Sequence, residues 1–142
     1  MHPDGKRLLF DLLGDLYTLP IEGGEAQALT HSMAWEQQAR WSPDGKQIAY
    51  LHNLREPNEA AHRFPRRLWV MNADGTGKRP LTRNERFPSV LFPSWSPDGK
   101  LIAYFGSRVG RGPALEVVPT VDGPARRLAG NIQGDGAVTW QP

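Results

Sequence analysis

Three aspartates recur in the same short motif, and their spacing is the first feature that suggests chemistry. "HPDGK" stands at residues 2–6, and "WSPDGK" stands at 41–46 and again at 95–100. Paired carboxylates can carry general acid and base catalysis. In Pro-Asp-Gly, however, the aspartate also bonds nearby backbone N–H groups, while proline and glycine supply the φ angles of a tight turn. We therefore expect a structural turn role for the aspartate and glycine of each copy, namely Asp4, Gly5, Asp44, Gly45, Asp98 and Gly99.

The other candidates for catalysis and metal binding lack the spacing that such sites need. The stretch "GSRVG" at 106–110 places its serine next to the first glycine, whereas a nucleophile elbow needs Gly-x-Ser-x-Gly. The chain has no cysteine, which excludes thiolate nucleophiles and cysteine-bound zinc. No two histidines are spaced as a metal pair, and we expect His52 and His62 to be solvated beside a long loop. The sequence predicts no catalytic residue, no metal and no cofactor, so the chain is expected not to be an enzyme.

Charge and hydrophobicity argue against two classes of partner. With 142 residues, 39% of them hydrophobic, the chain can bury a core, but its net charge of +2 is too small for the concentrated basic face of nucleic-acid binding. No apolar run approaches the ~20 residues of a membrane span. The opening "MHPDGKRLLF" lacks the apolar region of a signal peptide. We expect no nucleic-acid partner, no membrane partner and a cytoplasmic location as written, with a periplasmic or secreted parent protein left open.

Each Pro-Asp-Gly motif is followed by the same succession of short apolar runs. "RLLF" at 7–10 corresponds to "QIAY" at 47–50 and "LIAY" at 101–104, and a second run then follows in each unit. Short runs bounded by Gly, Pro and Asp predict strands. We name the four strands of a unit a (ending in Trp), b (after the Pro-Asp-Gly turn), c (the second run) and d (ending in Leu and a small residue).

A repeated four-stranded unit of ~40–50 residues predicts an all-β fold built from β-propeller blades. The blade units are about 1–41, 42–95 and 96–142, within one propeller segment. The alternative is an all-β sandwich, which would not require a matching motif at a fixed place in each unit. Because each strand a ends in tryptophan, we expect blade packing by Trp41, Trp95 and Trp140.

The repeats resemble the WD40-like propeller repeat, also called PD40 or TolB-type. The resemblance is carried by "WSPDGKQIAY", "WSPDGKLIAY" and "LWVMNADGTGKRPLT", and "LYTLPIEGGEAQALT" looks like the variant of tricorn-type and prolyl-oligopeptidase-type propellers. It implies a propeller of six or more blades. The motif is specific for the blade type and does not determine a function, so we carry two hypotheses. The first is a noncatalytic scaffold or half-propeller that self-assembles and binds a protein or ligand, and the alternative is a fragment of the gating, substrate-access propeller of a peptidase or amidohydrolase-type enzyme.

The order of the strands predicts how copies of the chain assemble. The chain opens at the turn before a strand b, and "AVTWQP" at 137–142 reads as a lone strand a. If residues 137–142 supply strand a to the first blade of a partner chain, two chains close a six-bladed ring as a homodimer. This split-blade, or Velcro, closure would cover edges that are otherwise unpaired. A nine-bladed ring of three chains remains an alternative.

One insertion and one tryptophan suggest where a further partner binds. The loop "HNLREPNEAAHRFPRR" at 52–67 is the one insertion among the units, and long loops often carry function. Trp35 lies in a d–a connection, where propellers place residues of the channel mouth. A protein or peptide with acidic groups would meet Trp35, Arg63, Arg66 and Arg67 there. The alternative for this loop is a solvated b–c connection.

Overall fold

The strands of the protein follow the turn pattern of the sequence. A computed structural model describes residues 1–53, 66–82, 89–108, 110–132 and 137–141. In these ranges no helix is long and apolar enough to cross a membrane. The predicted all-β fold class is confirmed by the strands there, which are β1 (Arg7–Leu12), β2 (Asp15–Pro20), β3 (Gln27–Ala28), β4 (Trp35–Trp41), β5 (Gln47–Asn53), β6 (Arg66–Asn72), β7 (Arg79–Pro80), β8 (Ser89–Trp95), β9 (Leu101–Arg108), β10 (Arg111–Pro119) and β11 (Arg126–Gly130).

The strands pair into a three-stranded and an eight-stranded sheet. β1, β2 and β3 form the first sheet, in that order. The larger sheet consists of two antiparallel meanders joined by one parallel pair, Arg66 of β6 opposite Ser89 of β8. We call β4–β7 the second unit and β8–β11 the third unit. In the nomenclature of the repeats, β4 and β8 are the strands a, and the strands b are β1, β5 and β9. Among the described residues no strand a lies beside β1.

The Pro-Asp-Gly turns set where each strand b begins. Gly5, Gly45 and Gly99 have φ angles of 71°, 69° and 71°, a left-handed region that glycine adopts without a steric penalty. In the second unit, Gly45 N donates to Ser42 O at 2.9 Å, and Ser42 N donates to Gln47 O at 2.9 Å. The same bonds recur at equivalent residues in the third unit, so the two strands b leave their turns in the same register.

Both complete strands a carry a bulge at the same position. Gln38 and Phe92 have φ angles of 52° and 54°, and the pairing with strand b shifts at both places. The backbone N–H of Phe92 donates to Gln38 Oε1 at 2.8 Å. An extra residue in one strand re-aims the side chains that follow it. The bulges therefore determine which face of each unit receives the tryptophan at the end of strand a.

Two hydrophobic clusters fill the spaces between neighbouring units. The cluster between the first sheet and the second unit contains Leu16, Leu29, Ile48, Tyr50 and Met71. The cluster between the second and third units contains Ala49, Leu51, Leu68, Val70, Val90, Trp95, Ile102, Tyr104 and Val118. Alternate residues of β5 enter different clusters, as the two-residue period of a strand requires. The second unit is thus buried on both faces.

Two strand predictions differ from the structure. The first two strands d are shorter than expected, because β3 and β7 end before Thr30 and Thr82. The hydroxyls of these threonines accept the N–H groups of Leu16 and Leu68, at 2.9 and 3.1 Å. The carbonyls of Leu16 and Leu68 still accept backbone bonds from Leu29 and Leu81, both at 2.8 Å, so side chains take over only part of the pairing there. Residues 137–141 form no strand, although a strand a is predicted. A strand needs a neighbour to satisfy its backbone groups, and no described strand pairs with this segment.

Candidate assembly interface

The tryptophans at the ends of strands a connect neighbouring units by the same hydrogen bond. Trp95 Nε1 donates to the backbone oxygen of Arg40 at 3.1 Å. Trp140 Nε1 donates to the backbone oxygen of Ser94 at 3.1 Å. In each case the acceptor directly precedes the tryptophan of the previous unit. Residues 137–141 therefore contact the third unit as the strand a of a following unit would.

Trp41 occupies the equivalent place between the second unit and the first sheet, but without the bond. Its ring meets the edge of the His2 ring at 4.6 Å between centroids, and Arg7 Cζ lies 5.4 Å from its centre. Its Nε1 is buried and has no hydrogen-bond partner among the described residues. A buried donor without an acceptor costs about 1–3 kcal/mol. This end of the interface is therefore chemically incomplete.

The aspartates expected in turns are held by turn hydrogen bonds. Asp44 Oδ1 accepts Ser42 Oγ at 2.7 Å and the N–H of Lys46 at 3.0 Å. Asp98 accepts the equivalent bonds from Ser96 and Lys100, at 2.6 and 3.0 Å. The serine hydroxyl, and then the backbone N–H, hold the pKa of each carboxyl below its ordinary value. The carboxylates lie in separate turns, each occupied by its own local bonds.

The first turn differs from the others because His2 stands where they have serine. Asp4 Oδ1 accepts the N–H of Lys6 at 2.9 Å and lies 2.6 Å from His2 Nδ1. The hydrogen bond from Lys6 is the largest influence on the pKa of Asp4 and lowers it; burial acts in the opposite direction, and the contact with His2 lowers the pKa further. His2 Nε2 lies 3.1 Å from the backbone oxygen of Gly45 and 3.1 Å from Arg7 Nη2. The imidazole thus ties the first turn to the turn of the second unit.

The residues expected at the channel mouth lie at the opposite end of the second unit. Trp35 is the first residue of β4, is 49% exposed and lies against Gly14. Arg66 and Arg67 are the first residues of β6 and lie opposite Asn53 and His52 of the neighbouring β5. The structure places Trp35 and Arg66 in one row, since both are opposite Asn53. Arg63 lies outside the described residues.

A buried Glu36–His52 pair beside these residues was missed by the sequence analysis. Glu36 Oε1 lies 3.2 Å from His52 Nδ1 and accepts Ser32 Oγ at 2.9 Å. Burial alone would raise the pKa of Glu36, but hydrogen bonds from His52, Thr30 and Ser32 outweigh it and hold the pKa below its ordinary value. The expectation that His52 is solvated is wrong. Its two-residue spacing from the apolar Tyr50 was the signal that could have placed it inside.

More polar atoms on this face of the second unit lack partners. Glu36 Oε2, Tyr50 Oη and Trp69 Nε1 are buried without hydrogen-bond partners among the described residues. Burial, and then the nearby Glu36 carboxylate, raise the pKa of Tyr50 far above its ordinary value. The described residues contain no group of three His, Cys, Asp or Glu side chains that could hold a metal ion. What these groups share is their location between the second unit and the first sheet.

A cavity of about 520 Å³ lies beside the strands a. Its lining joins the first sheet, the second and third units and the segment near the C-terminus, through Leu9, Trp41, Phe92, Trp95, Ala137 and Val138. Leu9 of β1 and the C-terminal residues Ala137 and Val138 thus line a common space.

Comparison with known proteins places these features in a known fold. No protein-family model matches the chain. It is 28% identical over 103 residues to the uncharacterized peptidase YuxL of Bacillus subtilis, covering 72% of the chain and 15% of that protein. It is 33% identical over 93 residues to dipeptidyl-peptidase 5 of Porphyromonas endodontalis, covering 66% of the chain and 13% of that protein. The crystal structure of TolB from Acinetobacter baumannii aligns with a TM-score of 0.69 and 21% identity, over 92% of this chain and 31% of that one.

The chain, with these strands, turns and tryptophan contacts, has the fold of a β-propeller. The fold is like that of the TolB propeller, so the resemblance found in the motifs is confirmed at the level of the fold. The chain spans about 13–15% of the length of the two curated relatives above.

Proposed function

We propose that this chain is a noncatalytic β-propeller segment that closes a ring with a second copy and serves as a binding scaffold. Its first sheet, second unit and third unit are three blades, and two chains give six blades. The sequence repeats at about 1–41, 42–95 and 96–142 each run from a strand b to the strand a of the next blade. The observation that carries the proposal is the open edge of β1. β5 and β9 each lie between a strand a and a strand c, whereas β1 pairs with β2 alone among the described strands.

An open strand edge favours pairing with another chain. Unpaired N–H and C=O groups along a strand are a template for a further strand, and folded proteins usually cover them. Arg7 of β1 lies over the ring of Trp41, whose Nε1 is buried without a hydrogen-bond partner among the described residues. A strand a beside β1 would therefore supply both backbone pairing and an acceptor. Two-fold association is the commonest oligomer symmetry, which favours the dimer over the nine-bladed trimer.

A noncatalytic role fits the state of the acidic side chains. The turn aspartates are each held by a serine and a backbone N–H, or in the first turn by His2 and a backbone N–H. The buried carboxylate Glu36 is bonded to His52 and Ser32. These bonds hold each carboxylate within its own turn or strand pair.

The scaffold would bind its ligand at the rim that carries Trp35, Arg66 and Arg67. Met33 is 96% exposed and Trp35 is 49% exposed there, so apolar surface lies at the same end of the second unit as the two arginines. An exposed aromatic beside guanidinium groups suits a protein or peptide segment with an apolar and an acidic side chain. Arg63 belongs to the same proposal by its position in the loop sequence.

Molar mass in solution tests the ring. Gel filtration coupled to light scattering should give twice the 15.8 kDa mass of the chain. Deleting residues 137–142 should convert the dimer to a monomer, because the edge of β1 would lose its proposed partner. A folded monomer of the intact chain, or a dimer that survives the deletion, would refute the ring.

The second candidate is a part of the gating, substrate-access propeller of a peptidase. It is favoured by the matches to YuxL and dipeptidyl-peptidase 5, which are both named as peptidases and are matched over small parts of their lengths. On this proposal, the isolated chain cleaves no peptide but binds a separately expressed catalytic domain from a relative of this kind. Binding to the catalytic domain together with monomeric behaviour would favour this candidate over the scaffold.

A further inference from the structure

The three tryptophans at the ends of strands a form a series with one missing bond. Trp95 and Trp140 each donate to a backbone oxygen one residue before the previous tryptophan, at Arg40 and Ser94. Trp41 has the same place in its unit, yet its Nε1 has no acceptor among the described residues. The pattern shared by Trp95 and Trp140 therefore predicts which atom would accept the hydrogen bond from Trp41 Nε1. It is the backbone oxygen of the residue that precedes the tryptophan of a strand a lying beside β1.

The sequence of residues 137–141 aligns with the ends of the other two strands a. Ala137, Val138, Thr139 and Trp140 align with Gln38–Trp41 of β4 and with Phe92–Trp95 of β8. In both units the tryptophan is opposite the second residue of strand b, as Trp41 is opposite Ile48. The residue before it is opposite the third, as Ser94 is opposite Ala103. Applied to β1, the register pairs Trp140 with Leu8 and Thr139 with Leu9.

We propose that residues 137–141 of a second copy lie beside β1 in this register, and that the backbone oxygen of Thr139 accepts the Trp41 Nε1–H bond. The inference rests on the proposed ring of two copies and names its contact atom by atom. It assigns Trp41 a role in recognising the partner, in addition to the packing role that it shares with the other tryptophans.

The segment can make this contact without leaving its own third unit. Trp140 already donates to Ser94 O, so its ring faces back toward the third unit. A strand a pairs through its backbone with the strand b of its own unit, while its tryptophan side chain contacts the preceding unit. β8 shows both contacts, because it pairs with β9 and its Trp95 bonds to Arg40. The edge of residues 137–141 is the part that the partner's β1 would use. Since the segment is placed beforehand, little further ordering is needed on association.

Engineered cysteines test the register, because the chain contains no cysteine of its own. A Leu9→Cys chain is refolded with an equal amount of a Thr139→Cys chain and oxidised. Residues directly opposite on antiparallel strands have the spacing that a disulfide requires. We expect a cross-linked dimer from this mixture. The matched control replaces Leu9→Cys by Leu8→Cys, which shifts the pair by one residue and turns the thiols to opposite faces, and should cross-link about tenfold less.

The outcomes separate this inference from the ring itself. Twice the chain mass in light scattering without the Leu9–Thr139 cross-link overturns the register and leaves the ring standing. A monomeric mass overturns both. The doubly substituted chain tests self-closure, since a disulfide within one chain would show that residues 137–141 reach the β1 of their own chain, against the proposal.

A second measurement isolates the indole bond. Trp41→Phe keeps the ring contact and removes the donor, so we expect the dimer dissociation constant to rise about fivefold, the effect of one neutral hydrogen bond. Trp95→Phe is the control, because its bond to Arg40 lies within one chain and its loss should leave the dissociation constant unchanged. Sedimentation equilibrium measures both variants, with circular dichroism to establish that they fold. An unchanged dissociation constant for Trp41→Phe overturns the proposed Thr139 contact.

Discussion

The strand b of the first sheet is packed differently from the strand b of the second unit, although the same sequence motifs build both. In β5, residues 48–50 are fully buried, whereas the equivalent residues 8–10 of β1 are half-buried. Trp95 has its acceptor, while Trp41 does not. The sequences of the strands b are alike, so the difference comes from their surroundings. β5 lies beside a strand a and between two hydrophobic clusters, whereas β1 has only one of these clusters and no strand a beside it among the described residues. A blade of this type is therefore completed by its neighbours as much as by its own residues.

The largest effect should come from truncating equivalent residues of β5 and β1. Ile48→Ala removes a fully buried side chain and should cost about 3 kcal/mol of unfolding free energy at any protein concentration. Leu8→Ala should cost clearly less at concentrations where the chain is monomeric, since Leu8 is half-buried there. In the proposed dimer the penalty for Leu8→Ala should grow, because the second copy would cover it.

Urea unfolding at low and high protein concentration measures both variants. Equal penalties for Leu8→Ala and Ile48→Ala in the monomer would show that β1 and β5 are packed equally well, and the contrast drawn from burial would fail.

A smaller effect is expected at two equivalent tyrosines. Tyr104 Oη donates to Glu116 Oε2 at 2.9 Å, whereas Tyr50 Oη is buried without a partner among the described residues. Tyr104→Phe should therefore lower the unfolding free energy by about 2 kcal/mol, the range for a hydrogen bond to a charged group. Tyr50→Phe should leave it unchanged or raise it, since an unsatisfied hydroxyl is removed.

The same urea experiment compares the two tyrosine variants directly, and each serves as the control for the other. A loss of stability in Tyr50→Phe would mean that its hydroxyl has a partner in solution, such as water or a bound ligand, and would direct attention to the Glu36–His52 pair.

The smallest effect is expected at the exposed turns, where pH is the variable. The folded-state pKa values of Asp44 and Asp98 lie below the reference value of 3.8, so the unfolded chain takes up these protons more readily. Their contribution to stability is complete above that value and is lost as pH falls through the folded pKa. Between about pH 5 and about pH 3, wild type should lose more stability than the Asp44→Ala, Asp98→Ala variant.

Urea midpoints across this pH range provide the measurement, with Asp11→Ala as a control for removing a carboxylate outside these turns. A double variant that loses as much stability as wild type would exclude the turn bonds as the source of the pH dependence.

The sequence predicts the repeated local elements well, because their causes lie within a few residues. Pro-Asp-Gly determines its turn through φ preferences, and the apolar runs after it become β1, β5 and β9. The buried Glu36–His52 pair was not predicted, because it depends on the register of β4 against β5. The missing bond of Trp41 could not be predicted either, since a donor lacks an acceptor only in a particular packed arrangement.

The bulge contact between Gln38 and Phe92 has a consequence for how the protein comes apart. The Gln38 side chain in the strand a of the second unit satisfies a backbone N–H in the strand a of the third unit. If the second unit opens, this amide loses its acceptor, so the third unit cannot keep its own bulge intact. The two units should consequently unfold as one cooperative block, with the Phe92 amide exchanging its hydrogen as slowly as the centre of β9.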